Sequence, residues 1–337
     1  MIRVGIVGAT GYGARELIRL ITAHPGADVV CVTSESAAGT PLAEVHPAFG
    51  KLTKLVCEPF NAKNLADQCD VVFVAVPSTK SMGFAAALRA AEVAVIDIGP
   101  DFRLKSPAEF KAFYNAEHVA PDLLQEAVYG LPILNRSKLD TATLVAVPGC
   151  YPISIITPLR PLLDAGLSDV PVVIDSISGI SGAGRSLSDT FHFPEMNENV
   201  RAYNLAVHRH VPEIEQALDH KVMIQFNPHV GPYTRGIMST LTVRPTGAID
   251  PKNLYSVYED EPFVRVLGEG KLPELKYVRG TNFCDIGWVQ DKRTGNLIIV
   301  STIDNLMGGT AGVAIQCMNL MFGQDETTGL LYGGIAP

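Results

Sequence analysis

The chain has 337 residues, 47% hydrophobic and 18% charged, with 35 acidic against 27 basic side chains and a formal net charge of −8. That length suits two globular domains, each with its own core, and an acidic balance without a basic tract argues against a nucleic-acid binder. No apolar run reaches the roughly eighteen residues that a membrane span needs. The six cysteines (31, 57, 69, 150, 284 and 317) show no C-x-x-C and no zinc spacing, so reduced thiols in a cytoplasm are expected, with no metal site.

The first residues, Ile2 to Val7, read as a strand and leave no room for a signal peptide. They run into Gly8-Ala9-Thr10-Gly11-Tyr12-Gly13-Ala14 and then a helix, Arg15 to Ala23. The spacing Gly8-x-x-Gly11-x-x-Ala14 is a variant of the dinucleotide fingerprint, in which glycines let the backbone approach a pyrophosphate seated on a helix N-terminus. Gly8, Thr10, Gly11, Tyr12 and Gly13 are therefore candidate cofactor contacts. A second strand, Asp28 to Thr33, completes the start of a βαβ unit and ends in Ser34-Glu35-Ser36. An acid at this point serves a ribose 2′-hydroxyl, whereas hydroxyls suit a 2′-phosphate, so the residues alone leave the cofactor open. On an extended strand end Ser34 and Ser36 would point away from Glu35 and could hold the phosphate.

Asp70 to Val76 reads as a buried strand ending in Pro77-Ser78-Thr79, a turn expected to face the cofactor. Val93 to Ile98 is another strand, followed by Gly99-Pro100-Asp101-Phe102-Arg103. Ligands sit at the carboxyl ends of parallel strands, which makes both turns site candidates and Arg103 a possible anion contact. Beyond residue 150 the texture changes. Strands are expected over Pro171 to Ile177, Val222 to Phe226, Gly236 to Arg244, Asn282 to Val289 and Leu297 to Asp304, with a helix only near Lys252 to Leu267. This pattern predicts a mixed or antiparallel sheet in a second domain. The loop Ser178 to Arg185 is glycine-rich enough for a second backbone approach to a ligand. A final apolar helix is expected over Ala311 to Phe322.

Between these halves stands Val147-Pro148-Gly149-Cys150-Tyr151-Pro152. Pro148 and Gly149 end a short strand, and Pro152 fits the first turn of a helix, which puts Cys150 at a strand-to-helix corner near the positive end of a helix dipole. That position lowers a thiol's pKa and offers N–H groups to an oxyanion. An acid–base partner is found in Val207-His208-Arg209-His210-Val211-Pro212-Glu213, where His208 falls just before a helix and Glu213 could orient its imidazole.

Taken together, Gly8 to Tyr12, Asp101-Phe102-Arg103-Leu104, Tyr129-Gly130-Leu131-Pro132, Pro148 to Pro152, Ser181-Gly182-Ala183-Gly184-Arg185, His208 to Ile214, Thr234-Arg235-Gly236, Asn282 to Gly287 and Asp304-Asn305-Leu306 carry a resemblance that runs nearly end to end. The chain resembles the N-acetyl-γ-glutamyl-phosphate reductase family of arginine biosynthesis, within the wider group that includes aspartate-semialdehyde dehydrogenase. The resemblance implies an α/β fold. A Rossmann-type NADP-binding domain over 1–149 and 305–337 would be completed by the C-terminal helix, with an inserted α+β catalytic and dimerisation domain over 150–304. It also implies NADPH as hydride donor, a small acyl phosphate as substrate, and a homodimer or homotetramer.

Within that resemblance Cys150 is the nucleophile that forms a thioester, His208 the proton donor and Glu213 its orienter. Arg103, Arg185 and Arg235 are candidate clamps for the substrate's phosphate and carboxylate. Ser181 and Gly182 would approach the cofactor and Asn305 its nicotinamide side, alongside Ser34, Ser36 and Pro77. The sequence departs from the family at Val147, where asparagine is usual, at Glu35, where a neutral or basic residue is commoner, and at Ser78, which replaces a frequent histidine. The histidine block speaks against aspartate-semialdehyde and glyceraldehyde-phosphate dehydrogenases. A reductase of carrier-linked aminoadipyl or glutamyl phosphate and a cofactor-binding sensor without turnover remain as rivals.

Overall fold

The structure, a computed structural model, describes residues 1–336. The chain divides into two compact units, 1–148 with 310–331, and 149–309 with the described residues from Tyr332 on.

The first unit is built on a six-stranded parallel sheet. Its strands are β1 (Ile2–Val7), β2 (Ala27–Thr33), β3 (Val71–Val74), β4 (Ala94–Asp97), β5 (Val128–Tyr129) and β6 (Leu144–Ala146), in the order β2-β1-β3-β4-β6-β5. Helix α1 (Tyr12–Thr22) follows β1, and α2 (Ser81–Ala90) precedes β4. The central strands are continuous apolar runs because helices cover both faces of such a sheet; Val71, Val72, Phe73 and Val74 are all fully buried. From β1 the chain crosses to β2 on one side and returns to β3 on the other. The ligand crevice of a sheet with this order lies at the carboxyl ends of β1 and β3.

The second unit carries a seven-stranded mixed sheet in the order β11-β12-β13-β10-β7-β9-β8. Its strands are β7 (Val172–Gly179), β8 (Arg201–Ala202), β9 (Ile224–Gly231), β10 (Ile237–Val243), β11 (Val264–Glu269), β12 (Cys284–Gln290) and β13 (Leu297–Ile303). The β7–β9 and β11–β12 pairs are parallel and the others antiparallel. Helix α3 (Cys150–Leu159) lies on this sheet with every residue after Cys150 buried, and α4 (His210–Ala217) packs against it. An all-round apolar helix such as Ile153–Ile156 has to be enclosed. Tyrosine hydroxyls satisfy carbonyls of its last turn: Tyr258 donates to Thr157 and Tyr255 to Pro158, at 2.7 and 2.9 Å.

The expected α/β class, with a Rossmann-type sheet followed by a mixed sheet, is the fold observed. Edge strands were harder to read. Val264–Glu269 is strand β11, where the sequence suggested helix; only Pro251–Leu254 and a 3₁₀ turn over Tyr255–Tyr258 are helical there. The C-terminal segment also differs from the boundary at 305. Residues 305–309 belong to the second unit, and the first resumes at Thr310, just before α5 (Gly312–Met321). The tail from Tyr332 packs with the second unit, where Ile335 N–H donates to the Arg279 carbonyl at 2.8 Å. Strand alternation cannot show where a terminal segment docks, because that depends on which loop presents an open carbonyl.

Candidate active site and cofactor cradle

In the first unit the turn after β1 meets the turn after β3. Gly8 has φ +86°, and a Cβ there would lie 2.5 Å from the Ala75 carbonyl oxygen, so the left-handed backbone and the close approach both require glycine. The N–H groups of Gly8 and Ala9 both donate to the Thr33 carbonyl at 3.0 Å, which ties the glycine turn to the end of β2. Gly11 is the N-cap of α1 and has no side-chain cap, leaving the first-turn N–H groups of Tyr12 and Gly13 directed out of the helix end. His46, buried and unremarked in the sequence, braces the turn by donating Nε2–H to the Ala9 carbonyl at 2.7 Å. Pro77 lies in the turn beyond β3, and its carbonyl accepts from Lys80 N–H at 3.2 Å.

The segment after β2 is not an extended strand end. Glu35–Ala37 is a 3₁₀ turn, so the alternation argument for this segment is corrected. The turn nevertheless brings the Ser34 and Ser36 hydroxyls within 3.3 Å of each other. Glu35 is engaged elsewhere, its Oε1 accepting from Phe60 N–H at 2.9 Å. A hydroxyl pair beside a glycine turn, with the acid turned to another partner, is a donor set that fits a phosphorylated ribose.

Arg103 is tied to main-chain carbonyls of its own unit. It is buried, and the side-on edge of its guanidinium is occupied: Nε donates to the Val147 carbonyl at 2.8 Å and Nη2 to Ile98 at 3.0 Å. It braces the strand that leads toward Cys150, and its part in substrate binding stands as a proposal. Asp101, also buried, accepts from Thr79 and Met82 N–H at 2.8 and 3.1 Å, which stabilises the left-handed Thr79 (φ +66°).

In the second unit Cys150 is the first residue of α3, with Gly149 as N-cap in extended conformation. Cys150 is half-buried, while the other five cysteines are buried and unpaired as disulfides. Burial pushes the Cys31 thiol up to about 11 and Cys69 up to about 12, which makes them poor nucleophiles. The Gly308-Gly309 turn passes directly over the corner, and a Cβ on Gly309 would lie 2.9 Å from the Cys150 Cβ.

His208 sits just before α4, 6% exposed, in an aromatic box. The rings of Tyr151, Tyr203 and Phe226 stand edge-on to it, with centroids at 5.8, 5.6 and 5.2 Å. Burial lowers its pKa from 6.5 to about 4, and the Arg209 guanidinium adds to the shift. The imidazole is thus neutral at pH 7. Its Nδ1 accepts from the His210 backbone N–H at 3.1 Å, so the proton resides on Nε2.

Glu213 does not orient that ring, which corrects the expected relay. Its fully buried carboxylate accepts from the Gly149 N–H at 2.8 Å, and the role assigned to it is filled by the His210 main chain. The reason is local: Glu213 lies in the first turn of α4, which faces the N-cap of α3, while the chain before the helix folds back on its own N–H. Tyr151 donates to the His229 carbonyl at 2.9 Å, and Tyr203 donates to Tyr151 at 3.2 Å, which fixes two walls of the box.

The remaining candidates lie in loops of the same unit. Asn305 joins two of them, accepting from Gly236 N–H at 2.7 Å and donating to Ser181 Oγ at 3.0 Å. A Cβ on Gly182 would lie 3.0 Å from Ser178 Oγ. Arg235 pairs with the buried Asp304 at 3.3 Å, and Asp304 also accepts from Gly280, Leu306 and Met307 N–H. Arg185 is exposed on the loop after Gly184. The aromatic box, His46 and Gly309 escaped the sequence reading. Only Gly308-Gly309 left a trace, as a glycine pair between the last strand and the last helix.

A semialdehyde dehydrogenase NAD-binding family model matches residues 3–142, and the semialdehyde dehydrogenase dimerisation-domain model matches 150–305. A protein of Desulforudis audaxviator named N-acetyl-gamma-glutamyl-phosphate reductase is 47% identical, covering 100% of both chains. A protein of the same name from Pelotomaculum thermopropionicum is 46% identical over 100% of this chain and 99% of its own. The chain belongs to the N-acetyl-gamma-glutamyl-phosphate reductase family. Members of the wider semialdehyde dehydrogenase group share its fold. Aspartate semialdehyde dehydrogenase II of Vibrio cholerae superposes with a TM-score of 0.74 at 15% identity, covering 96% of this chain and 98% of that one. The Candida albicans enzyme, solved with NADP, gives 0.73 at 14% identity over 96% and 98%.

Proposed function

We propose that this chain is an NADPH-dependent oxidoreductase that converts N-acetyl-γ-glutamyl phosphate to N-acetyl-glutamate 5-semialdehyde and phosphate in arginine biosynthesis. The observation that carries the reading is Cys150 at the first position of α3, in a chain whose full-length relatives bear that reductase's name. Gly8, Thr10, Gly11, Tyr12, Gly13, Pro77 and the Ser34–Ser36 pair would hold the dinucleotide, with Ser181, Gly182 and Asn305 as further contacts.

The Cys150 thiolate attacks the acyl carbon, a C–S bond forms, and the bond to the phosphate oxygen breaks. A thioester accepts hydride far better than a carboxylate, which is the purpose of the covalent step. The nicotinamide, when bound, supplies that hydride. His208, having taken up the proton that Cys150 gave up on becoming a thiolate, stabilises the oxygen that gains charge on hydride addition. It returns that proton to the departing sulfur as the tetrahedral adduct collapses to aldehyde and thiol. General acid–base assistance of this kind contributes about a hundred- to ten-thousandfold. Arg103, Arg185 and Arg235 are the candidates for the substrate's anions.

No helix among the described residues is long and apolar enough to cross a membrane, which suits a cytoplasmic enzyme. A dimerisation-domain match over 150–305 supports a homodimer or homotetramer. The test follows NADPH oxidation with N-acetyl-γ-glutamyl phosphate. Cys150→Ser should nearly abolish turnover while NADPH still binds. Inactivation by an alkylating agent that modifies Cys31, Cys57 or Cys284 and leaves Cys150 intact would overturn the assignment.

A further inference from the structure

Strand β10 alternates cleanly between buried and half-buried positions, with one polar residue on its buried face. Along β10 the inward positions are Ile237, Ser239, Leu241 and Val243, so a hydroxyl stands where the pattern calls for an apolar side chain. Its cross-strand neighbours are Ser176 on β7 and Ser301 on β13. Above this row lies Ser154 of α3, one turn beyond Cys150. All four serines are 1% exposed or less. Burying a hydroxyl is costly unless it is bonded, and each of these is bonded.

The proton directions follow from counting. Ser154 donates its one proton to the Tyr151 carbonyl at 2.9 Å, so it must accept from Ser239 at 2.8 Å. Ser239 has then spent its own proton and accepts from Ser176 at 2.7 Å. A directed chain results, from Ser176 through Ser239 and Ser154 to the Tyr151 carbonyl, and chains of this kind strengthen cooperatively in a low-dielectric interior. Separately, Ser301 donates to the carbonyl of Ser154. The carbonyls of Tyr151 and Ser154 are therefore held by hydroxyls, as those of Thr157 and Pro158 are in the last turn. Tyr151 and Ser154 belong to the first five residues of α3, and the sheet beneath supplies their anchors. Apolar packing alone would let such a helix slide or rotate, since dispersion contacts are non-directional.

We propose that Ser239 and Ser154 are positioning residues for the reaction. The hydroxyl chain sets the roll and axial position of the first turn of α3, and so aims its N–H groups at the Cys150 sulfur. This rests on Cys150 being the nucleophile. The serines touch neither substrate nor cofactor and act through the helix.

The test uses the full-length enzyme in three forms: wild type, Ser239→Ala, and Ser154→Ala/Ser176→Ala/Ser239→Ala. The triple variant removes donors and acceptors together, which tends to leave stability nearly unchanged where a single deletion orphans a partner. The readouts are kcat, KM, and the rate of Cys150 alkylation by iodoacetamide as a function of pH. Both variants should lose about tenfold or more in kcat with KM within about twofold, as expected of a misaimed nucleophile. The midpoint of the alkylation profile should move to higher pH, because a mispointed helix end stabilises the thiolate less. A folded triple variant with wild-type kcat and an unshifted alkylation midpoint overturns the proposal. Cys150→Ser, run alongside, keeps the two readings apart: retained turnover there removes the nucleophile assignment, whatever the serine variants do.

Discussion

Cofactor choice is decided at the scale of single residues. Glu35 is an acid at the position where acids select NADH, yet its Oε1 accepts from the Phe60 N–H, and Ser34 and Ser36 face each other across 3.3 Å. Hydroxyls bonded to a charged phosphate oxygen are worth more than those bonded to a neutral group. Ser34→Ala/Ser36→Ala should therefore lower kcat/KM for NADPH by about tenfold while changing that for NADH little. Glu35→Gln should leave the preference for NADPH in place. A native preference for NADH that Glu35→Gln weakens would place the carboxylate on the ribose. The sequence named these three residues but reasoned from an extended strand end. The backbone turns as a 3₁₀ segment, and this was invisible because Ser-Glu-Ser carries no proline or glycine to mark the bend.

At the scale of elements, the corner that presents Cys150 depends on a turn distant in sequence. Gly309 packs its backbone against Cys150, and a Cβ there would meet the Cys150 Cβ at 2.9 Å, Ile303 Cδ1 at 3.1 Å and the Asp304 carbonyl at 3.2 Å. Only Ile303 Cδ1 is the free end of a side chain; the nearer Cys150 Cβ and the Asp304 carbonyl are held by the backbone. Gly309→Ala should lower kcat by about a hundredfold, the scale of a roughly 1 Å misplacement of a reacting group, with NADPH affinity nearly unchanged. Steady-state kinetics with a cofactor titration checks this, and near-native turnover would show that the turn yields without moving the sulfur. The strand–turn–helix reading of residues 144–156 needed only Pro148, Gly149 and Pro152. The part played by Gly309 could not be read there, since a glycine pair between a strand and a helix looks like an ordinary cap.

At the scale of the whole molecule, two buried groups make stability depend on pH in opposite senses. His208, in the second unit, has its pKa lowered to about 4 by burial and by Arg209. As pH falls from 6.5 toward 4 the unfolded chain takes up a proton that the native state refuses, so stability is lost on acidification. Asp97, in the first unit, accepts from Ser81 Oγ and Gly99 N–H at 3.0 and 2.9 Å, and burial with the nearby Asp101 raises its pKa from 3.8 to about 7. Its contribution is fully present below 3.8 and is lost as pH rises through 7. Urea unfolding from pH 4 to 8 should show the acid-side loss flattened in His208→Asn, by an amount on the order of 3 kcal/mol. The loss between pH 4 and 7 should be flattened in Asp97→Asn. Parallel curves for wild type and both variants would show that neither group titrates as its burial requires.

Certain features were settled by local chemistry and were legible in the chain. Apolar runs bounded by glycine and proline define β1, β3 and β4. A glycine turn between strand and helix marks a dinucleotide cradle, and Pro-Gly-Cys before an apolar helix marks the proposed nucleophile. Other features depend on which groups meet across long separations. Strand pairing put Ser176, Ser239 and Ser301 in one row, and three aromatic rings enclosed His208 to make it neutral. Packing of α4 on α3 sent the Glu213 carboxylate to Gly149 and left the His210 main chain to orient the imidazole. Arg103 likewise became a brace, because the carbonyls of Ile98 and Val147 are brought to it only when β4 and β6 lie side by side. Periodicity and turn chemistry report what a residue does to its own backbone. The partner that a buried polar side chain finds is decided by the tertiary fold, where an unpaired polar group is costly and the nearest complementary atom takes the bond.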